Sequence, residues 1–193
     1  IILPAAAGLA VLRVPIIALL FQRGAFDRAA TAATATALLY YSIGMVPTAV
    51  IAVMGTVFYS LQDTVTPVII GLVGSGLNIV LDFLLVRSLG HGGIALANSA
   101  TFLLVMGVML AVLVRRIGPL GGGRLVLSLG KIAAATAVMG LVAFLAGREI
   151  GLFGAGLGLG LRGQLVRVAG TIGLAGAVYA LCLILFRVDE VAA

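Results

Sequence analysis

Of the 193 residues, 63% are hydrophobic and 9% are charged, with 12 Lys and Arg against 6 Asp and Glu and a net charge of +6. A soluble domain carries about 25% charged residues, so this composition excludes a water-soluble fold and implies a chain built mainly of membrane-crossing segments. The single cysteine, Cys182, excludes an intrachain disulfide, and no basic run is interleaved with aromatics as a nucleic-acid groove requires; the basic excess fits loops that face anionic lipid.

The chain opens on IILPAAAGLAVL, with no initiator Met and no basic stretch before the apolar run. That is not a signal peptide, and it reads as the interior of a longer protein, entered near its C-terminal portion. Residues 1–21 form the first expected span. Pro15 inside it predicts a kink, which bilayers tolerate where neighbours satisfy the freed carbonyl. Arg13 is an intramembrane cation. Either it snorkels from a shifted register or it faces a wet cavity, where it is a head-group candidate.

Residues 22–28 (QRGAFDR) read as a loop, with Gly24 at the bend and Asp27 as a helix cap. Residues 29–61 then read as one very long helix that Gly44 and Pro47 are expected to break or tilt. The stretch 58–67 (FYSLQDTVTP) is the clearest polar break between two bilayer-length runs. Asp63 and Thr64 hold this structural turn, with Thr66 expected as the cap and Pro67 at the first helical position.

The third span, 67–86, carries Gly71, Gly74, Ser75 and Gly76, a small face suited to close packing. Residues 87–93 read as a short glycine-rich turn that contains His91 as a turn residue. The fourth span is 94–114, followed by the basic linker 115–124 (RRIGPLGGGR). A fifth span, 125–146, precedes a glycine-rich loop over 148–163. Its GLGLRG at 158–163 matches a dinucleotide pattern only formally, because no strand precedes it. The sixth span is 165–186, and 187–193 is a mixed-charge tail. The fold class is thus an all-α polytopic membrane protein with about six transmembrane helices. The densest basic cluster, Arg115 to Lys131, assigns its side to the cytoplasm together with the 58–67 turn and the C-terminus.

Asn78 and Asp82 stand one helical turn apart on one face of the third span. Asp82 and Asn98 flank the 87–93 turn at similar depth. With the helix-start carbonyl of Ile94, these residues can form an oxygen-lined site for a monovalent cation such as Na+, acting as coupling or structural ion. The alternative is that Asp82 pairs with Asn98 or Arg87 and ties the hairpin. No other metal or cofactor is expected, and no enzyme constellation is present. There is one histidine, no Cys/His cluster and no paired carboxylate: Glu149 sits beside Arg148, and Asp189 and Glu190 are in the tail.

Five phrases in this order resemble a known family: PIIALLFQRGAFD at 15–27, FYSLQDTVTPV at 58–68, LNIVLDFLLV at 77–86, LGHGGIALANS at 89–99 and RRIGPLGGGR at 115–124. They resemble the MurJ/MviN lipid II flippases of the multidrug/oligosaccharidyl-lipid/polysaccharide exporter superfamily. The resemblance implies helices 9–14 of a fourteen-helix protein in the bacterial inner membrane. Residues 1–117 would be the last four helices of the second lobe, 118–124 a linker, and 125–193 a helix pair bordering a lipid groove. It implies export of the lipid-linked peptidoglycan precursor, lipid II, by alternating access, a transport activity rather than catalysis. The partners implied are lipid II, membrane lipids and the N-terminal helices of the same protein. It also matches Asn78, Asp82 and the following helix start to a region where members can hold a monovalent cation. Another exporter of the superfamily, for polysaccharide-lipid or drugs, and a non-transporting membrane scaffold are the alternatives.

Overall fold

A computed structural model describes residues 1–118, 122–149, 151 and 161–185. Among these residues the chain forms six helices: α1 Ile2–Phe21, α2 Arg28–Ser60, α3 Val65–Leu89, α4 His91–Ile117, α5 Gly122–Glu149 and α6 Leu161–Leu185. All six are long and apolar enough to cross a bilayer. Residues 158–160 of the glycine pattern, part of the 115–124 linker, and Arg187, Asp189 and Glu190 of the tail lie outside the described residues.

The helices divide into two compact units. The first comprises α1, the start of α2 up to Ala35, α5 and α6. Its core is Met139 and Ala143 of α5 and Ala175 of α6, packed by Ala7 and Val11 of α1 and by Tyr179. Small residues at these crossings let backbones approach, which is the main source of attraction between helices already in lipid. An apolar groove of about 370 Å³ runs along this unit, lined by Pro4, Gly8, Leu12, Met139, Ala143 and Tyr179 among others. The α1–α2 loop bends at Gly24, with φ at 58°. Asp27 Oδ1 then accepts the Ala30 N–H at 2.8 Å, the expected cap of α2.

The second unit is α2 from Thr36 onward with α3 and α4. Phe58 and Met54 of α2 pack against Met109 and Leu113 of α4, and Phe58 is 0% exposed. Within α3 the one residue classed as buried is Gly74, so its apolar surface is left for lipid or for further helices.

Pro47 does not break α2, which is helical over all 33 residues. A proline removes one donor, and a helix held by packing and lipid tolerates that locally. At 1.5 Å per residue α2 is about 50 Å long, well over the roughly 30 Å hydrocarbon core, so it tilts or projects. Pro15 likewise sits inside a continuous α1. Hydroxyl groups in these spans donate back to their own helix: Ser42 to the Leu38 carbonyl, Thr48 to Gly44, Thr136 to Ile132 and Thr171 to Arg167.

The helix joints correct two expectations. The 87–93 turn is a single residue, Gly90, which ends α3 and starts α4 with φ 56° and ψ −135°. That region is open essentially to glycine alone. Arg87 therefore belongs to α3 and the exposed His91 to α4. Gly92 and Gly93 serve close approach. A Cβ on Gly93 would collide with the Leu85 carbonyl, and one on Gly92 would lie 3.1 Å from the Tyr40 ring. At the 58–67 turn, α3 begins at Val65, and Asp63 supplies the cap: its Oδ1 accepts the Thr66 N–H at 2.9 Å. Thr66 and Pro67 fall within the first turn. Asp63 and Thr66 are both capping residue types, and Asp63 stands three residues ahead of Thr66, where its side chain reaches the Thr66 N–H in the first turn.

The end of α2 folds back through Gln62, whose φ is 58°. The Asp63 N–H reaches the Phe58 carbonyl and the Gln62 N–H the Tyr59 carbonyl, both at 3.0 Å, which closes a Schellman end. The left-handed conformation costs a non-glycine residue about 1–2 kcal/mol. Gln62→Gly is therefore expected to raise stability by about 0.5–1 kcal/mol, read as a higher thermal unfolding midpoint in detergent.

Candidate functional site

Asp82 carries a buried polar atom whose demand is unmet among the described residues. It lies on α3, eight residues before Gly90. Its Oδ1 is buried and has no hydrogen-bond partner among the described residues. Around it is a groove of about 270 Å³ lined by Ile79, Phe83, Val86 and Ile94. A carboxylate oxygen held in apolar surroundings without a donor is destabilising by several kcal/mol. A cation or a donor from a further helix removes that cost. Ile94 sits in the first turn of α4, where Gly90 brings it back alongside α3.

The other two candidates on this hairpin are placed elsewhere. Asn78 donates from Nδ2 to Thr101 Oγ1 of α4 at 3.4 Å, a long bond that ties the helices one turn from Asp82. Asn98 lines a different groove, of about 440 Å³, with Tyr41, Gly44, Met45, Thr48 and Phe102. Its neighbour Ser99 donates to the Tyr40 carbonyl, and Gly44 leaves room for that approach, since a Cβ there would lie 2.6 Å from Ser99 Oγ. The structure thus brings Asp82 and Ile94 together, keeps Asn78 on the next turn, and turns Asn98 towards α2. Among the described residues no three His, Cys, Asp or Glu side chains gather as a metal cluster. The residues around Asp82 suit at most a weakly held monovalent cation, with Asp82 as its one charged ligand.

Arg13 is half-buried in the middle of α1, and its Nη1 donates to the Ala10 carbonyl at 2.7 Å. A guanidinium has five N–H donors, so a bond to its own helix leaves capacity for an anion or water.

The turn residues are joined by a partner that sequence reasoning left in the basic linker. Arg116 Nη1 lies 2.6 Å from Asp63 Oδ2, and its Nη2 donates to Thr66 Oγ1 at 3.2 Å. The signal was present in the numbering: Thr66 precedes Gly90 by 24 residues and Arg116 follows it by 26, so an antiparallel hairpin brings them level. Hydrogen bonds from Thr66, side chain first and then backbone, hold the Asp63 carboxyl below the usual aspartate range, with the Arg116 charge acting in the same direction.

The sequence profile of the family described as lipid II flippase MurJ matches residues 1–154. A probable lipid II flippase MurJ of Synechocystis is 35% identical over 135 residues, covering 70% of this chain and 25% of the relative. One from Thermotoga maritima is 33% identical over 143 residues, covering 74% of this chain and 28% of the relative. Among solved structures, a lipid II flippase MurJ in an inward closed conformation aligns with a TM-score of 0.74 at 23% identity, over 98% of this chain and 37% of that one. This last likeness concerns the fold. The chain spans about a quarter of the length of these curated relatives.

Proposed function

The chain belongs to the lipid II flippase MurJ family, and on that premise we propose that it is part of a transporter carrying lipid II from the inner to the outer leaflet of the bacterial inner membrane. The family match over 1–154 carries this reading. In it, residues 1–117 are the last four helices of the second lobe, 118–124 the linker and 125–193 the C-terminal pair, with the C-terminus cytoplasmic. Transport proceeds by alternating access, and no bond of the substrate is broken.

The physics of the cargo supports this division. A sugar–diphosphate head must cross in a wet, cationic cavity, because an unpaired charge in hydrocarbon is prohibitive. A long apolar tail suits a groove such as the one along α1, α5 and α6. Arg13 is the head-group residue of this portion, with donors to spare. Asp82, with Ile94 beside it and Asn78 one turn away, is where a Na+ ion would be held. Such an ion would give the buried, unpartnered Asp82 oxygen the counter-charge that its apolar groove lacks.

The test is rescue. The full-length gene is expressed in bacteria depleted of their own lipid II flippase, and growth is followed with the exposure of lipid II on the outer leaflet. Restored growth with restored exposure is the expected result. Arg13→Ala is expected to lower exposure about tenfold and Arg13→Lys by less, since the ammonium keeps the charge but not the fork. A membrane-inserted protein that fails to restore exposure removes lipid II as the substrate.

A further inference from the structure

At one end of the second unit three helix ends meet on one residue, Asp63. The Asp63 backbone N–H closes α2 onto the Phe58 carbonyl. Its Oδ1 caps α3 through the Thr66 N–H, and its Oδ2 pairs with Arg116 in the last turn of α4. Arg116 reaches α3 a second time through Thr66 Oγ1. The Asp63 side chain is only 12% exposed and that of Arg116 47%, so Oδ2 is largely shielded from water that could replace the guanidinium.

The same three helices are tied along the rest of their length. At the far end α3 and α4 share the single-residue Gly90 turn, with Gly93 seated on the Leu85 carbonyl. Further in, Ser99 of α4 holds the Tyr40 carbonyl of α2 across Gly44. Towards the Asp63 end, Met54 and Phe58 interdigitate with Met109 and Leu113. These ties are a chain joint, a hydrogen bond and apolar packing, whereas the tie at Asp63 is an ion pair. Past Leu113 the last turn of α4, residues 114–117, is exposed, and Arg116 supplies its contact with the α2–α3 turn.

We infer that the Asp63–Arg116 pair is a latch that makes α2 from Tyr40 onward, α3 and α4 a single rigid body. A conformational change then moves these three lengths together and does not slide α4 past the α2–α3 turn. An isolated exposed ion pair would be too weak for this. Here the same two side chains also complete a helix cap and a hydroxyl bond, so the contacts stand or fall as a network. The inference concerns which helices move together and stands whether or not lipid II is the cargo.

Hydrogen exchange of the intact protein in lipid nanodiscs tests it, read separately over 61–66 and 114–118. Asp63→Asn keeps an acceptor for the Thr66 N–H but loses the charge, so the protein still folds. It is expected to speed exchange at the end of α4, 53 residues away in sequence, about fivefold. Arg116→Gln is expected to speed exchange in the 61–66 turn by a similar factor. The double variant should be no faster than either single one, and Arg116→Lys should fall between. A merely local cap would leave 114–118 unchanged in Asp63→Asn. That result, or effects of the two substitutions that simply add, overturns the latch.

Discussion

Gly93→Ala is expected to cost the protein about 2–3 kcal/mol, a large share of the stability a folded protein has in hand. Most core substitutions find relief in a rotating side chain. Here the obstacle is the Leu85 carbonyl, part of α3's own backbone. Moving it requires α3 and α4 to part at the Gly90 joint, which has no spare residue to lengthen. Two companion variants make the expectation specific. In Gly74→Ala the new methyl meets the Val105 side chain, which can turn aside, so the loss should be smaller. In Gly76→Ala it meets nothing within 4 Å, and the variant should be neutral or gain up to about 1 kcal/mol from reduced chain entropy. Thermal unfolding of the three proteins by size-exclusion chromatography gives the order. Equal behaviour of Gly93→Ala and Gly76→Ala would mean that the close approach at Leu85 is not a constraint in solution.

Asp82→Leu is expected to separate stability from activity. The wild-type carboxylate has a buried oxygen without a partner, in a groove lined by Ile79, Phe83, Val86 and Ile94. Replacing it by an apolar side chain of similar size removes that cost, so in sodium-free choline buffer the variant should be more stable by about 1–3 kcal/mol. In sodium that advantage should shrink or reverse. A ligand that binds the folded protein at about 100 times its Kd adds about 2.7 kcal/mol, and the variant has no charged ligand to receive it. On the proposed function, outer-leaflet exposure of lipid II should fall to background in Asp82→Leu at normal protein levels. Unfolding midpoints in choline, potassium and sodium chloride decide the matter. If wild-type protein gains the same protection from potassium as from sodium, a selective site at Asp82 is refuted; if the variant also retains the sodium shift, the ion binds elsewhere.

Much of the architecture was legible because it follows from the length of apolar runs. Six bilayer-length stretches gave six helices, and the polar QRGAFDR and QDTVTP phrases fell at the joints between them. Asp27 was readable as a cap because its reach is local. The failures share a cause: the property depended on what lay across from the residue. Glycine at 90, 92 and 93 has the composition of a flexible turn. Only the position of Leu85 and Tyr40 shows that two of the three are helical and small for the sake of contact. The rise per residue gave Asp82 and Asn98 a common depth, but depth is not direction, and Asn98 turns to α2. Arg116 was read by its charge as a linker residue, since its partner lies 53 positions earlier and the hairpin that aligns them hangs on one residue.

The hydroxyl groups of the spans have a consequence for biogenesis. Ser42, Thr48, Thr136 and Thr171 each bond to a carbonyl one turn back on the same helix. None of these four groups waits for a neighbour to become satisfied, so each helix leaves the insertion machinery with those polar atoms already sheltered from lipid. Individual spans can therefore partition one after another and find each other later, in the plane of the bilayer. Side chains that do reach across, such as Asn78, Ser99 and Arg116, then record the moment of assembly.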